Sequence, residues 1–225
     1  MHDEPKSSQR KGPPLRPQLR ETVKNQRLVS QNPTREEQME GFQGWSERGY
    51  LPHRDEPGLT QFVTFRLTDS FPAELRKEWE MLFKIEDDRV RRVQLEAWLD
   101  SGHGACELKD ERVASTVADA LQHFDGQRYS LRAFTIMPNH VHVLFHVTAV
   151  PMAKVVQSWK RFTANQANEI LGRRGTFWQE DYWDTYMRDA EHEARTLRYL
   201  RSNPVKAGLV TDWKAWPWTY VAAEE

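Results

Sequence analysis

Residues 134–145 have the sequence FTIMPNHVHVLF, two apolar segments separated by Pro138 and Asn139. Segments of this kind joined by a short turn predict a hairpin of two antiparallel strands. Because side chains alternate between the two faces of a strand, His140 and His142 lie on the same face, about 7 Å apart at the backbone. Two imidazoles at this spacing can share one metal ion, so the hairpin predicts a metal site.

The other residues of the second strand assign its two faces. The opposite face must belong to the core because it carries Val141, Val143, Phe145 and Val147. His146 shares the histidine face but lies about 13 Å along the strand from His142, too far to join both partners in one coordination sphere. A histidine pair on a strand is more often structural than metal-binding, so the motif alone leaves both interpretations open.

Composition limits the classes of protein that the chain can represent. A chain of 225 residues fits one globular domain with an appendage, although 38% hydrophobic residues is low enough to indicate an unpacked part. The single cysteine, Cys106, excludes an internal disulfide framework and a cysteine-based zinc site. The sequence has neither an apolar run of roughly 18 residues nor a signal core, so we expect no membrane association and a cytoplasmic location.

The low-hydrophobicity part lies at the N-terminus. Residues 1–40 are rich in Gln, Ser, Pro, Arg and Lys and contain hardly any aromatic residues. Such a segment buries too little apolar surface to offset its ordering entropy, so we predict a disordered basic segment over 1–40 and a single domain over 41–225.

Periodicity predicts the order of the elements in that domain. Helical spacing and caps predict helices, and β-branched or aromatic runs between turn residues predict strands. The predicted elements are a strand at 61–67, a helical stretch at 73–99, a helix at 113–124, strands at 128–137 and 140–147, a helix at 152–171 and a last helix from Asp189 to near Asn203.

The last helix carries the second group of candidate site residues. Asp189 can cap its start, and Pro204 is expected to end it near Asn203. Its apolar stripe consists of Ala190, Ala194, Leu197 and Leu200. At 100° per residue, Tyr199 lies almost opposite this stripe, with Asn203 one turn further on the same face. We therefore expect both side chains on the polar face of the helix.

Four segments together resemble a known family. They are MPNHVHVLF at 137–145, TFWQ at 176–179, YWDTYMRD at 182–189 and YLRSNPVKAGLV at 199–210. In this order they closely resemble the REP-associated tyrosine transposases, which are single-tyrosine members of the HUH nuclease class. The resemblance extends from about Gly49 to Trp218. A bare His-x-His motif is weak evidence, whereas the ordered set is strong.

The resemblance implies a fold and a chemistry. The expected fold is α+β, a ferredoxin-like antiparallel sheet with helices on one face and the catalytic tyrosine on a C-terminal helix. His140 and His142 are then expected to bind Mg²⁺ or Mn²⁺, and Tyr199 to attack the scissile phosphate of single-stranded DNA, giving a 5′-phosphotyrosine. Asn203 takes the place of a glutamine that supplies a third metal ligand in related insertion-sequence transposases.

The implied partner is single-stranded DNA with a hairpin. The expected activity is cleavage and rejoining beside short palindromic, REP-like hairpins, by a monomer or a homodimer associated with the nucleoid. The alternatives are a domesticated protein that binds such hairpins without cutting them, and an RNA-binding module. Tyr182 and Tyr186 are rival nucleophiles, whereas Trp178 and Trp183 are expected to pack. A local basic set is the candidate DNA-backbone contact: Lys154, Lys160, Arg161, Arg173, Arg174, Arg188 and Lys206.

Overall fold

Residues 33–48 and 51–223 are described in the computed structural model of the chain. Seven strands are found in this part of the protein: β1 (Gly44–Arg48), β2 (Leu51–Asp55), β3 (Thr60–Arg66), β4 (Tyr129–Ile136), β5 (His140–Val147), β6 (Trp183–Tyr186) and β7 (Thr219–Val221). The α-helices of the same residues are α1 (Arg35–Glu40), α2 (Arg76–Phe83), α3 (Asp88–Asp100), α4 (Glu111–Gln122), α5 (Met152–Ile170) and α6 (Ala190–Lys206).

The order of the strands defines the architecture. A small antiparallel hairpin of β1 and β2 accompanies an antiparallel five-stranded sheet with the order β6-β3-β5-β4-β7. If β3, β4, β5 and β6 are numbered 1 to 4 along the chain, their spatial order in the sheet is 4-1-3-2. Helices follow the first and the third of these strands. This is the βαββαβ arrangement of ferredoxin-like folds. The predicted fold class and the predicted β4–β5 hairpin are confirmed.

The main core lies between one face of the sheet and helices α4 and α5. All four residues assigned to the core face of β5 are fully buried there. Phe145 and Tyr129 pack against Trp159 of α5, each with ring centroids 5.0 Å from the Trp159 ring. The Trp159 indole N–H donates to the Tyr129 hydroxyl, which donates to the Leu121 carbonyl of α4. These polar atoms are therefore paired inside the core.

The other face of the sheet is covered by α6. Leu200 of α6 packs against Leu144 of β5 and Ala133 of β4 in a smaller apolar cluster. The prediction placed the helices on one face, and α4 and α5 follow it. The tyrosine-bearing helix lies on the opposite face, because Leu144 and Ala133 point away from the main core.

The last residues of the segment predicted to be disordered, 1–40, form a helix in the structure. Residues 1–32 of the predicted disordered segment lie outside the described residues. Arg35–Glu40, by contrast, form α1, whose first turn has a complete capping box between Thr34 and Glu37. The two reciprocal hydrogen bonds satisfy backbone donors that would otherwise be unpaired at the helix start, and composition alone does not register them.

Two other helix boundaries differ from the prediction. The helical stretch 73–99 is divided into a short 3-10 helix and two α-helices, because the Asp87 carboxylate caps the start of the second α-helix at the Val90 N–H. The last helix does not end near Asn203 but continues to Lys206 with Pro204 inside it. Proline removes one backbone donor, and within the final turn this loss does not stop the helix.

Truncation of Phe145 tests the main core. Phe145 is completely buried against two aromatic rings, so Phe145→Ala is expected to lower the free energy of unfolding by about 3–5 kcal/mol. Phe162→Ala, at a position that is 52% exposed on α5, serves as the control, with an expected change of less than about 1 kcal/mol. Urea denaturation measures both values. Equal losses in the two variants would contradict the assignment of the core.

Candidate active site

The histidine pair lies at the centre of the five-stranded sheet. β5 is flanked by β3 and β4, and on the face under α6 His142 is directly opposite Thr64 of β3 and Thr135 of β4. Both imidazoles are about 1% exposed. Strand alternation alone therefore placed the pair on one face correctly, and the sheet adds that this face is buried.

Hydrogen bonds fix the orientation of both rings. The Asn139 amide nitrogen donates to the His103 carbonyl, so its oxygen faces His140 and accepts from Nδ1–H at 2.8 Å. His142 Nδ1 lies 2.7 Å from the Thr64 hydroxyl. The two Nε2 atoms then face each other at 3.1 Å. With the proton of His140 on Nδ1, its Nε2 presents a lone pair towards His142.

Helix α6 brings Tyr199 and Asn203 onto this pair. The Tyr199 hydroxyl lies 3.2 Å from His142 Nε2, and the Asn203 amide N–H donates to the same hydroxyl at 3.2 Å. The ring of Phe62 packs edge-on against Tyr199, with centroids 5.9 Å apart. His142 is thus within hydrogen-bonding reach of both the predicted nucleophile Tyr199 and His140.

Helix α6 contacts the sheet through part of its apolar stripe and through its polar face. Leu200 of the stripe packs on the sheet, and Asn203 and Thr196 are buried beside it. The sequence prediction placed Tyr199 and Asn203 on the polar face of this helix, and in the structure both side chains face the histidines. The covered sheet face is itself polar around the histidines, so the helix buries hydrogen-bonding groups there as well as apolar ones.

Two acidic side chains of α3 also reach the site, and the sequence did not reveal them. The Asp100 carboxylate lies 3.8 Å from His140 Nε2, and its Oδ1 is buried with no hydrogen-bond partner among the described residues. Glu96 lies one turn earlier and interacts with Tyr199. Their segment had no predicted function, because only the packing of α3 brings it to the histidines.

Burial controls the protonation of these groups. It lowers the pKa of His140 to about 3, and it lowers the pKa of His142 well below the ordinary histidine value with a further contribution from His140. Burial raises the pKa of the Tyr199 phenol, and the negative charges of Glu96 and Asp100 raise it further. Burial also raises the pKa of Asp100 to about 6, against the attraction of Lys206. The side chains alone therefore disfavour a phenolate.

The donor atoms around the histidines fit a divalent cation. The two Nε2 atoms face each other, and burial keeps both imidazoles neutral. The Asn203 Oδ1 is buried without a hydrogen-bond partner within the described part of the chain. Each Nδ1 is held by an oxygen, as is usual for metal-binding histidines. No group of three His, Cys, Asp or Glu side chains in residues 33–48 and 51–223 lies close enough to hold a metal ion. The two imidazoles and the Asn203 amide oxygen form a donor set that could hold one.

The other predicted residues lie at different distances from this site. Lys206 lies beside it, with its ammonium 5.4 Å from the centroid of the Tyr199 ring. Lys154 and Lys160 belong to α5, on the other face of the sheet, and their ammonium groups donate to backbone carbonyls of other segments. Arg173 pairs with Glu107. The remaining basic residues of the set are exposed: Arg161, Arg174 and Arg188. The structure therefore brings only part of the predicted basic set to the histidines.

The rival tyrosines do not face the histidine pair. Tyr186 is paired with Gln61, which lies on the core face of β3, and its ring contacts the Arg54 guanidinium. Tyr182 is buried in the main core and packs against the ring of His53. Trp178 is also buried there, against Phe65, as predicted. Tyr199 is therefore the candidate nucleophile that the geometry supports.

Comparisons with known proteins agree with this arrangement. The model of the family described as "Transposase IS200 like" matches residues 107–203, the segment that contains both histidines, Tyr199 and Asn203. A protein of Haemophilus influenzae named as a REP-associated tyrosine transposase is 28% identical over 98 residues, which are 39% of this chain and 56% of that protein. The chain thus aligns with little more than half the length of this relative.

Two solved structures also show similarity to this chain. A REP-associated tyrosine transposase bound to a REP hairpin has a TM-score of 0.46 at 16% identity, with 77% of this chain and 81% of that chain covered. A protein of Deinococcus radiodurans described as a transposase has a TM-score of 0.33 at 16% identity, over 70% and 96% of the two chains. The fold assignment depends on the strand order of this chain itself.

The fold and the site together define a class. A ferredoxin-like sheet with a histidine pair on its central strand, under a helix that bears a tyrosine, is an HUH-type α+β arrangement. Within that class, the predicted resemblance to the REP-associated tyrosine transposases is confirmed. None of the described helices is long and apolar enough to cross a membrane.

The low pKa of His140 predicts its behaviour on acidification. In chelator-treated protein, the His140 imidazole is expected to stay neutral down to about pH 4, since its folded pKa is about 3 and its unfolded pKa is about 6.5. Its contribution to stability is present above about pH 6.5 and is lost as the pH falls towards 3. The ring ¹⁵N shifts in an NMR titration measure this protonation, and a midpoint near pH 6 would contradict the prediction.

Proposed function

We propose that the protein is a metal-dependent transposase and endonuclease that cleaves and rejoins single-stranded DNA beside short palindromic hairpins. The observation that carries this proposal is the Tyr199 hydroxyl at 3.2 Å from His142 Nε2, which lies 3.1 Å from His140 Nε2. A nucleophile held beside two inward-facing imidazoles suits phosphoryl transfer, since catalysis of this reaction depends mainly on positioning and on charge stabilisation.

The covalent step is a transesterification at phosphorus. The Tyr199 oxygen forms a bond to the scissile phosphorus, and the bond from phosphorus to the 3′-oxygen breaks. The products are a 5′-phosphotyrosine and a free 3′-hydroxyl, which takes up the proton given up by the phenol. Attack of a 3′-hydroxyl on the phosphotyrosine reverses the step and joins two strands.

The side chains of the site have distinct tasks in this reaction. Asn203 donates a hydrogen bond to the phenol oxygen, which favours the charged form as it develops. Asn139 and Thr64 hold the two imidazoles in place, with the proton of His140 on Nδ1. A bound Mg²⁺ or Mn²⁺, held by the two histidines and Asn203, would supply the positive charge that polarises the phosphate.

The energetics of this chemistry agree with the absence of a nucleotide-binding motif. A phosphotyrosine keeps the energy of the phosphodiester bond that it replaces, so rejoining needs no ATP. The sequence contains no Gly-x-x-x-x-Gly-Lys-Ser/Thr phosphate-binding loop.

The DNA partner is proposed from the family. A REP-associated tyrosine transposase of known structure is bound to a REP hairpin, and we extend this class of ligand to the present chain. The net charge of −1 indicates that contacts to the DNA backbone must be local. Lys206, whose ammonium lies over the Tyr199 ring, is the member of the basic set best placed for such a contact. A monomeric or homodimeric state and a cytoplasmic, nucleoid-associated location stay predictions.

Covalent trapping tests the proposed function. Incubation of the full chain with Mn²⁺ and a single strand carrying a palindromic hairpin from the flanking genomic DNA is expected to yield a protein–DNA adduct on a denaturing gel. Tyr199→Phe should abolish the adduct, because the attacking oxygen is absent. Tyr186→Phe is the matched control, since this ring faces the other side of the sheet, and it should retain the adduct.

Three outcomes decide against this assignment. An adduct that survives in Tyr199→Phe, or that forms undiminished with chelator present, rules out the proposed chemistry. Hairpin binding without nicking in the presence of Mn²⁺ selects the alternative, a domesticated hairpin-binding protein.

A further inference from the structure

We propose that Asp100, the last residue of α3, supplies a carboxylate ligand to the divalent ion at the histidine pair. The inference rests on the proposed function, because it assumes that His140 and His142 bind a metal ion. It adds a ligand from α3, which lies outside the four segments that resemble the family and outside residues 107–203, which the family model matches.

The geometry places the Asp100 carboxylate beside His140. Its Oδ1 lies 3.8 Å from His140 Nε2, which is the nitrogen that faces His142. Two ligands bound at right angles to one Mg²⁺ or Mn²⁺ ion are about 3 Å apart, since each lies near 2.1 Å from the ion. A movement of roughly 1 Å therefore brings the carboxylate into the coordination sphere.

The environment of Asp100 indicates that a cation belongs beside it. Its Oδ1 is buried and has no hydrogen-bond partner in the described part of the chain, an arrangement that is costly for an anionic oxygen. Asp100 is also the final residue of α3, where the carbonyl ends of the helix already carry partial negative charge. A carboxylate at this end is repelled by the helix carbonyl groups. A cation bound there attracts both the carboxylate and the carbonyl end of the helix.

The chemistry of the ion supplies an independent reason. Two neutral imidazoles and one amide oxygen form a donor set without charge, whereas Mg²⁺ and Mn²⁺ prefer carboxylate ligands. Asp100 supplies both an oxygen ligand and a negative charge.

The main competing explanation is structural. Lys206 lies close enough to attract the Asp100 carboxylate, and its side chain also covers the Tyr199 ring. If Asp100 serves only to hold Lys206, its loss should weaken the metal-free fold and leave metal affinity unchanged. The two explanations therefore predict opposite results for stability and for binding.

Mn²⁺ binding by the full chain, measured by isothermal titration calorimetry after chelator treatment, tests the inference without any catalytic readout. Asp100→Asn is expected to bind Mn²⁺ at least ~10-fold more weakly than the wild type. Its metal-free melting temperature should be unchanged or higher, because an anion is removed from a helix C-terminus. Asp119→Asn removes the same charge from the exposed face of α4 and should bind as the wild type does.

The outcomes separate the role of Asp100 from the metal dependence of the site. Wild-type affinity in Asp100→Asn, with binding lost in His140→Ala, overturns the role of Asp100 and leaves the proposed function intact. A melting temperature that falls in Asp100→Asn with unchanged Mn²⁺ affinity likewise overturns it, in favour of the pair with Lys206. Absence of Mn²⁺ binding by the wild type overturns the metal-dependent function together with this inference.

Discussion

The structure depends on the burial of both faces of β5. As the central strand of the sheet, β5 has Val141, Val143 and Phe145 in the main core on one side and the histidine pair on the other. Buried imidazoles need hydrogen-bond partners, and the neighbouring strand and turn supply them through Thr64 and Asn139. The helix that closes this face must likewise offer polar groups. This requirement explains why α6 buries Asn203 and directs Tyr199 towards the sheet.

The two faces of the sheet differ in how firmly they hold their helices. The main core contains interlocked aromatic rings from β4, β5 and α5, together with most of the buried apolar residues. The cluster under α6 contains Ala133, Leu144 and Leu200 with a few partly buried neighbours. Because burial of apolar area is the main stabilising term, α6 is held less firmly than α5. The helix that carries the proposed nucleophile is thus attached to the sheet by a small apolar interface.

Electrostatics link the acidic side chains of α3 to the chemistry of the tyrosine. In the protein alone, burial and the nearby carboxylates raise the pKa of Tyr199, while burial keeps both histidines neutral. The buried oxygens of Asn203 and Asp100 have no hydrogen-bond partner in the described part of the chain, and Lys206 is the cationic side chain that attracts Asp100. A divalent cation held at the histidines, as proposed, would favour the phenolate and would offset the negative charge of Asp100.

The sequence by itself determined the β4–β5 hairpin, the two faces of β5 and the extent of α5, because each follows from a local period or turn. It also indicated Tyr199 and Asn203, through the spacing of residues already matched to a family. Tertiary structure decided which face of α6 is buried, and it brought Thr64 and Asp100 to the histidines from β3 and α3. These contacts join residues that are 78 and 40 positions away in the chain from their partners His142 and His140. No local pattern encodes them, since they exist only once the sheet register and the packing of α3 are set.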